Sequence, residues 1–196
     1  NDFTPELINY CTGADITVTW TATDACGNVS TTSKVIEVDK DETKPVFTVC
    51  PADITLNNDV DKCGAAAIWP IPVAVDFCSG ATVAQTSGNA QGTFMMVGTD
   101  YLQVYTATDG CGNTATCDIV ISVRDMQKPD VKCKDITVFV NSSGLASITT
   151  ASVDAGSTDN CCAPTLSLNN SAFSCLILGQ NTVVLTATDC VMPANT

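Results

Sequence analysis

The feature that most constrains this chain is that it repeats itself. Residues 21–28 read TATDACGN, residues 106–113 read TATDGCGN, and residues 186–190 read TATDC. A second block is out of phase with the first: Lys44-Pro45-Val46, Cys50 and Asp53-Ile54-Thr55 return as Lys128-Pro129, Cys133 and Asp135-Ile136-Thr137. A third block pairs Asp76-Phe77-Cys78 with Asp159-Asn160-Cys161. The period is about 80–85 residues and the order of blocks is fixed, as in a tandem array of like domains. The phase predicts three segments. Residues 1–39 hold the C-terminal part of one repeat, 40–125 a complete repeat, and 126–196 a repeat without its last strand. The chain therefore reads as a piece of a longer array.

Within each repeat the pattern is that of strands. Ile16, Val18, Trp20 and Ala22 alternate with Thr17, Thr19, Thr21 and Thr23, which puts the apolar residues and Trp20 inward and Thr outward. Val183, Leu185 and Ala187 repeat the pattern, with Val184 as an apolar exception, and Ile119, Ile121 and Val123 do so after the turn Gly110–Asn113. Gly and Asn accept the positive φ such a turn needs. Helical periodicity is absent. The fold class expected is all-β: immunoglobulin-like β-sandwich domains arranged end to end, about seven short strands in each. Gln103 falls where the repeat places Val18 and Val183, so either the register slips there or a buried amide must find a partner.

Composition removes whole classes of chemistry. The chain has no His, which excludes Ser-His-Asp and Cys-His nucleophile systems and His-ligated zinc. A net charge of −13 with only 8 Lys and Arg argues against nucleic acid and anionic membrane surfaces. No apolar run is long enough to insert into a membrane. The 12 Cys contain no CxxC spacing, so disulfides in an extracellular, oxidising compartment are expected rather than metal or redox motifs. An enzyme is not expected; without His the remaining option is a carboxylate pair, and the carboxylates sit in turns.

At these residues the sequence resembles the hyalin repeat family, a branch of the immunoglobulin-like folds. The marks are Cys50-Pro51-Ala52-Asp53-Ile54, Cys63-Gly64-Ala65, Asp76-Phe77-Cys78, Val97-Gly98-Thr99, the Thr106–Asp109 block and Cys117. Cys133-Lys134-Asp135-Ile136, the Gly156–Cys161 stretch and Phe173-Ser174-Cys175 resemble a sister subtype, and the Trp20–Asn28 stretch another. The resemblance implies adhesion: such repeats form stalks in extracellular matrix proteins and in large secreted adhesins of gliding bacteria, and mixed subtypes in tandem look bacterial. It brings no catalytic residues.

In a sandwich of this family the first strand runs parallel to the last, which implies a Cys50–Cys117 bridge. The same frame suggests Cys78–Cys111, then Cys11–Cys26, and, at the same spacing, Cys175–Cys190, with Cys161 or Cys162 competing for Cys175. Cys63 stands at the opposite end of its domain and offers a staple across the junction to Cys161 or Cys162. The alternative keeps Cys63 in its own domain, bridged to Cys50, with Cys117 paired to Cys78 or Cys111. The expected partner of Cys133 lies past Thr196.

Acidic residues gather at the junctions: Glu37, Asp39, Asp41 and Glu42 before Pro45, and Asp125 before Pro129. Loops expected at the same ends add Asp76 and Asp109, then Asp159 and Asp189. Ca²⁺, which takes six to eight oxygens, is the candidate ligand; solvated linker charge and turn formation are the plainer roles. Asn28, Asn141 and Asn169 begin glycosylation acceptor motifs.

The leading expectation is a stalk or filament segment of a secreted, disulfide-rich cell-surface adhesin, whose partners are further repeats. The second is a carbohydrate- or receptor-binding module, for which Trp69, beside Pro70 and Pro72, is the better candidate for an exposed aromatic. The third is a fibre subunit assembled by strand donation.

Overall fold

The computed structural model describes Asn9 and residues 11–190. The described residues are almost entirely strand and turn, with one four-residue helix and one 3-10 turn. Among the described residues fourteen strands, β1 to β14, run in chain order, and the fold is all-β. The chain divides into two compact units. One comprises Asn1–Ala52, Pro70–Gly88 and Leu102–Ile119, and the other Asp53–Trp69, Asn89–Tyr101 and Val120–Thr196.

The first unit opens with a hairpin. β1 (Ala14–Thr23) pairs with β2 (Val29–Val38) in unbroken antiparallel register from Ala14↔Val38 to Thr23↔Val29. The alternation of apolar residues and Thr produces the strand, as expected. It does not produce a core: Trp20 is 50% exposed, and Val29, Val35 and Ile36 are also exposed. The inward placement of Trp20 is thus corrected. Among the described residues β1 and β2 pair only with each other, and burial on β1 is partial and confined to Ala14, Ile16 and Val18.

The rest of this unit packs properly. β3 (Val46–Val49) pairs with β6 (Val73–Val75), and β7 (Ala81–Ser87) with β9 (Asp100–Asp109). Tyr105, Ala107, Cys117 and Ile119 lie within it nearly free of solvent, every second residue of their strands, as a half-buried sheet requires. Gln103 is fully buried and its Oε1 accepts from Gln85 Nε2 at 3.0 Å. The β7–β9 ladder also shifts between Gln85 and Ser87, so a polar partner and a register irregularity occur together.

In the second unit β4 (Ile54–Asn57) runs parallel to β10 (Thr114–Arg124), Ile54 opposite Ile121 and Asn57 opposite Arg124. The strand that follows β3 and Cys50 thereby lies beside the last strand of the repeat, and the four-stranded sheet has the order β4-β10-β9-β7. β5 (Gly64–Ala66) pairs with β8 (Phe94–Met96). Between β5 and β6 the chain passes through Trp69-Pro70-Ile71-Pro72. A proline has no N–H for a ladder, so strand assignment lapses. Trp69 is nonetheless 3% exposed, and its N–H and C=O are both held by the Gln91 side chain, at 3.1 and 2.7 Å. It is a core residue, not a platform.

The third segment follows the same plan with shorter pieces. β11 (Leu145–Ser147) pairs with β13 (Ala172–Ser174), and β12 (Thr165–Leu168) with β14 (Leu185–Thr188). The helix α1 (Thr150–Val153) buries Val153. Ile136–Val140, the sequence counterpart of β4, forms no strand ladder among the described residues. Ile136, Val138 and Val140 line an open cavity of about 670 Å³ with Ile148, Phe173 and Leu185, and polar groups such as Asp135 and Asn181 share the lining.

Candidate functional site: the joints between segments

Two places draw together the cysteines and carboxylates singled out in the sequence. The first lies within the first unit. Cys11 is disulfide-bonded to Cys111, Cα–Cα 4.8 Å. Cys111 sits in the turn between β9 and β10, and Asp109 builds that turn. Asp109 Oδ1 accepts from the N–H groups of Cys111 and Asn113, each at 2.8 Å, and Oδ2 accepts from Asn113 Nδ2 at 2.8 Å. Asp109 is 7% exposed. Burial alone would raise its pKa, but the hydrogen bonds from Asn113 and the Cys111 and Gly112 amides outweigh it and hold the carboxyl below its ordinary value.

Carboxylate oxygens of Asp41, Asp76 and Asp109 lie within 4.8 Å of one another. Asp76 Oδ1 accepts from Cys78 N and Ser79 N at 2.9 and 3.1 Å. Asp41 Oδ1 takes the Thr43 amide at 3.0 Å, but Asp41 Oδ2 is buried with no hydrogen-bond partner. Asp39 and Glu42 are exposed and outside this group, and Glu42 pairs with Lys40 at 2.8 Å. The local ion pair takes Glu42 away from the acidic set assigned to it by sequence.

The second joint lies within the second unit and carries the same set one period later. Carboxylate oxygens of Asp125, Asp159 and Asp189 lie within 4.8 Å of one another. Asp125 is 1% and Asp189 4% exposed. Asn160 Nδ2 donates to Asp125 and to the Lys62 carbonyl. Asp159 Oδ2 takes the Cys161 amide at 3.0 Å, while Asp159 Oδ1 is buried without a partner. Cys63 is disulfide-bonded to Cys161, Cα–Cα 4.6 Å. The linker is also hydrogen-bonded to the loop before Cys63. Met126 N donates to Asn58 Oδ1 at 2.9 Å, and the Gln127 side chain bonds both the amide and the carboxylate of Asp61, at 2.8 Å each.

Cys50 is bonded to Cys117 and Cys162 to Cys190. Three pairings expected from sequence are absent. Cys11 and Cys26 flank β1, and ten residues at about 3.3 Å each hold them far beyond disulfide reach. Cys78 is free and exposed. Ser79 takes the place against the turn instead, its Oγ accepting the Gly110 amide at 3.0 Å. Cys175 lies beside Gly144, whereas Cys190 reaches Cys162. Cys133 is also free. The cross-segment bond of Cys11 had a signal that spacing alone hid: Cys11 precedes its strand, as Val97 precedes β9, at the end of the repeat where Cys63 lies. The amide or carbonyl groups of Asn28, Asn141 and Asn169 are all engaged in local hydrogen bonds.

Comparison with known proteins finds relatives for part of the chain. Residues 40–123 match the family model described as HYR domain. This stretch is similar to HYR domains over its whole length. Hyalin of Strongylocentrotus purpuratus is 34% identical over 144 residues, 70% of this chain and 12% of that protein. Hyalin of Lytechinus variegatus is 34% identical over 119 residues, 59% of this chain and 22% of that one. A mouse protein named sushi, von Willebrand factor type A, EGF and pentraxin domain-containing protein 1 is 38% identical over 115 residues, 56% of this chain and 3% of the relative. The chain thus spans less than a quarter of each of these relatives. Among solved structures, the protocadherin gamma B2 extracellular cadherin domains 1–5 align at a TM-score of 0.42 with 14% identity, covering 93% of this chain and 43% of theirs. With its HYR-like stretch and four disulfides the chain is extracellular.

Proposed function

We propose that the chain is a stapled stalk segment of a cell-surface adhesin, in which consecutive repeats are fastened covalently and act mechanically rather than catalytically. The observation that carries this reading is the pair of bonds Cys11–Cys111 and Cys63–Cys161. They join cysteines 100 and 98 residues apart, more than one repeat period, and on the repeat boundaries read from sequence each bond leaves one segment for the next. An in-domain bridge such as Cys50–Cys117 stabilises a single sandwich; a bond between repeats limits how far a joint opens under tension. The hyalin relatives support an adhesive role. The carbohydrate-binding alternative loses its best aromatic, because Trp69 is buried.

The two carboxylate triads fit a divalent cation. Each gathers three carboxylates at a joint, and each contains one buried oxygen, Asp41 Oδ1's companion Oδ2 or Asp159 Oδ1, that nothing in the protein satisfies. Ca²⁺ bound there would be held by Asp41, Asp76 and Asp109 or by Asp125, Asp159 and Asp189. Its chemistry would be neutralisation of a like-charged cluster, stiffening the joint.

The test is non-reducing peptide mapping of the purified chain, followed by limited proteolysis at the linkers. The expected result is peptides linked as Cys11–Cys111 and Cys63–Cys161, and fragments that stay joined after linker cleavage until a reductant is added. Fragments that separate without reductant would overturn the reading.

A further inference from the structure

The two carboxylate triads are built alike but equipped differently. The loop Asp76-Phe77-Cys78 at the first corresponds to Asp159-Asn160-Cys161 at the second. Both begin with the same turn: Asp76 Oδ1 takes the Cys78 amide at 2.9 Å, and Asp159 Oδ2 takes the Cys161 amide at 3.0 Å. The middle residue differs. Phe77 is fully exposed, and its side chain has no oxygen to offer an ion. Asn160 turns inward. Its Nδ2 donates to Asp125 Oδ1 and Oδ2 at 3.3 and 3.2 Å and to the Lys62 carbonyl at 3.0 Å. These donations fix the orientation of the amide, because a carbonyl oxygen in that place would face three acceptors. Asn160 Oδ1 is thereby left buried with no hydrogen-bond partner, beside the Asp125 carboxylate.

Asp159 Oδ1 is buried and unpartnered in the same way, so the second joint holds two orphaned acceptors of different chemistry, a carboxylate and a neutral amide. The amide is an observation independent of the acidic cluster. Repulsion between carboxylates does not leave a neutral oxygen unpaired, and buried polar atoms are as a rule satisfied. A basic side chain does not answer it. Lys62, whose carbonyl accepts from Asn160, sends its ammonium to Asp59 at 3.5 Å and over the Phe94 ring at 5.8 Å. A cation that takes only oxygen ligands satisfies both orphans and the three clustered carboxylates together. The loop is also held on both sides. Cys161 is bonded to Cys63, next to Lys62, and Cys162 to Cys190, next to Asp189. These anchors fix Asp159, Asn160 and Asp189 relative to one another, and preorganised ligands lose less freedom on binding.

We infer that Asn160 Oδ1 is a ligand of Ca²⁺ at the second joint, alongside Asp125, Asp159 and Asp189, and that this joint binds the ion more tightly than the first. Ca²⁺ accepts amide oxygen together with carboxylate in a shell of flexible geometry, whereas Mg²⁺ demands a near-ideal octahedron and keeps several of its waters. The mixed oxygen set therefore favours Ca²⁺ over Mg²⁺. Asn160 works from both ends of its amide. Nδ2 ties the loop to Asp125 and to the residue before Cys63, and Oδ1 adds the ion to the same connection. The first joint has Phe77 in this place and offers the ion carboxylates without the amide oxygen.

The inference rests on the calcium reading of the triads, and one titration separates the two. The full chain, with its disulfides intact and stripped of metal by a chelator, is titrated calorimetrically with calcium chloride and, separately, with magnesium chloride. The expected result is two unequal calcium sites and weaker magnesium binding. Asn160→Leu should weaken the tighter site about tenfold or more, since a ligand matters no less than the outer-shell partners whose loss costs that much. The weaker site should be unchanged. Asn160→Asp keeps an oxygen, adds a charge and removes the N–H donors, and it should bind calcium at least as tightly as the native chain. A residue that only positioned Asp125 through Nδ2 would make both variants weaken alike. Peptide mapping of Cys63–Cys161 and Cys162–Cys190 reports that each variant is folded. In the native chain the side-chain carbonyl carbon resonance of Asn160 should shift as the tighter site fills, a readout that needs no variant. Two equal sites, magnesium bound as tightly as calcium, a resonance that stays put, or Asn160→Asp weakened as far as Asn160→Leu overturns this inference and leaves calcium at the triads standing. A native chain that takes up no calcium in the millimolar range overturns the calcium reading beneath it.

Discussion

The side-chain amide of Asn113 donates to Asp109 Oδ2 at 2.8 Å and to the carbonyl of Asp41 at 3.2 Å, so one residue ties the turn between β9 and β10 to the linker before β3. The turn depends on the charged form of Asp109, whose folded pKa is depressed. A depressed carboxyl stabilises the fold at pH above its unfolded value and loses that contribution as pH falls through the folded value. Asp24 and Asp154 are shifted the same way, chiefly by the side chains of Asn28 and Ser157. The melting temperature is therefore expected to drop on acidification below about pH 4, near the unfolded carboxylate range. Asp109→Asn should melt lower at pH 7 and show a shallower acid dependence. Thermal melts followed by circular dichroism across pH check both.

Gly88 sets a steric limit beside the buried amide of Gln103. Its φ is +101°, and an added Cβ would collide with Gln103 Oε1 and approach the Leu102 carbonyl to 2.6 Å. Gly88→Ala is expected to destabilise by more than about 1 kcal/mol, since backbone strain and the clash add. Gln103→Leu removes the Gln85 bond as well as the collision partner. Urea unfolding of the two single variants and the double should show that the substitutions are not additive.

Cys50 and Cys117 close a loop of 67 residues, and Cys117 is 2% exposed. Replacing both with Ser should cost about 2–5 kcal/mol, much of it through the unfolded chain. Urea titration of the double variant against the native chain is the measurement. A stability equal to the native chain would mean the bond restrains nothing that packing does not.

The strands, their alternation and the parallel Cys50–Cys117 relation were legible because each depends on local periodicity or on the topology of one sandwich. The sequence offered the members of the two carboxylate triads only within a wider acidic set that held Glu37, Asp39 and Glu42 as well, because junction charge alone does not show which side chains converge. What escaped was anything set by a partner surface. Trp20 alternates like a core residue, yet it is 50% exposed while Ile16 and Val18 on the same face are half-buried, so periodicity named the face but not how far along it the cover extends. Cys11 and Cys26 have a plausible spacing, but a ten-residue strand between them converts that spacing into separation. Ser79 rather than Cys78 meets the Gly110 turn because Asp76 captures the amides of both residues, and no pattern in the sequence distinguishes those two side chains.

The two tryptophans should differ sharply in access to solvent. Trp69 is 3% exposed with its backbone groups held by Gln91, whereas Trp20 is 50% exposed on an open ribbon. Acrylamide quenching should resolve two populations, and Trp20→Phe should remove the accessible one. Trp69→Ala should cost about 3–5 kcal/mol, as for other large core residues. If Trp20→Phe leaves quenching unchanged, the open face of β1 is covered in solution.

Calcium should stabilise the chain through the buried oxygens that lack partners. A ligand bound only by the folded state contributes about 2.7 kcal/mol when its concentration is a hundred times its dissociation constant. The melting temperature is thus expected to rise as calcium is raised into the millimolar range. Asp41→Asn and Asp159→Asn each replace the residue that carries an unsatisfied oxygen, at different joints. Without calcium, both should melt at or above the native temperature, because each removes one charge from a crowded carboxylate triad. With calcium, each should lose part of the increase and the double variant nearly all of it. The opposite ordering, with both variants destabilised and the native chain indifferent to calcium, would assign the carboxylates to turn formation alone. In that case stiffness at the joints would rest on Cys11–Cys111, Cys63–Cys161 and the linker hydrogen bonds of Gln127 and Asn113.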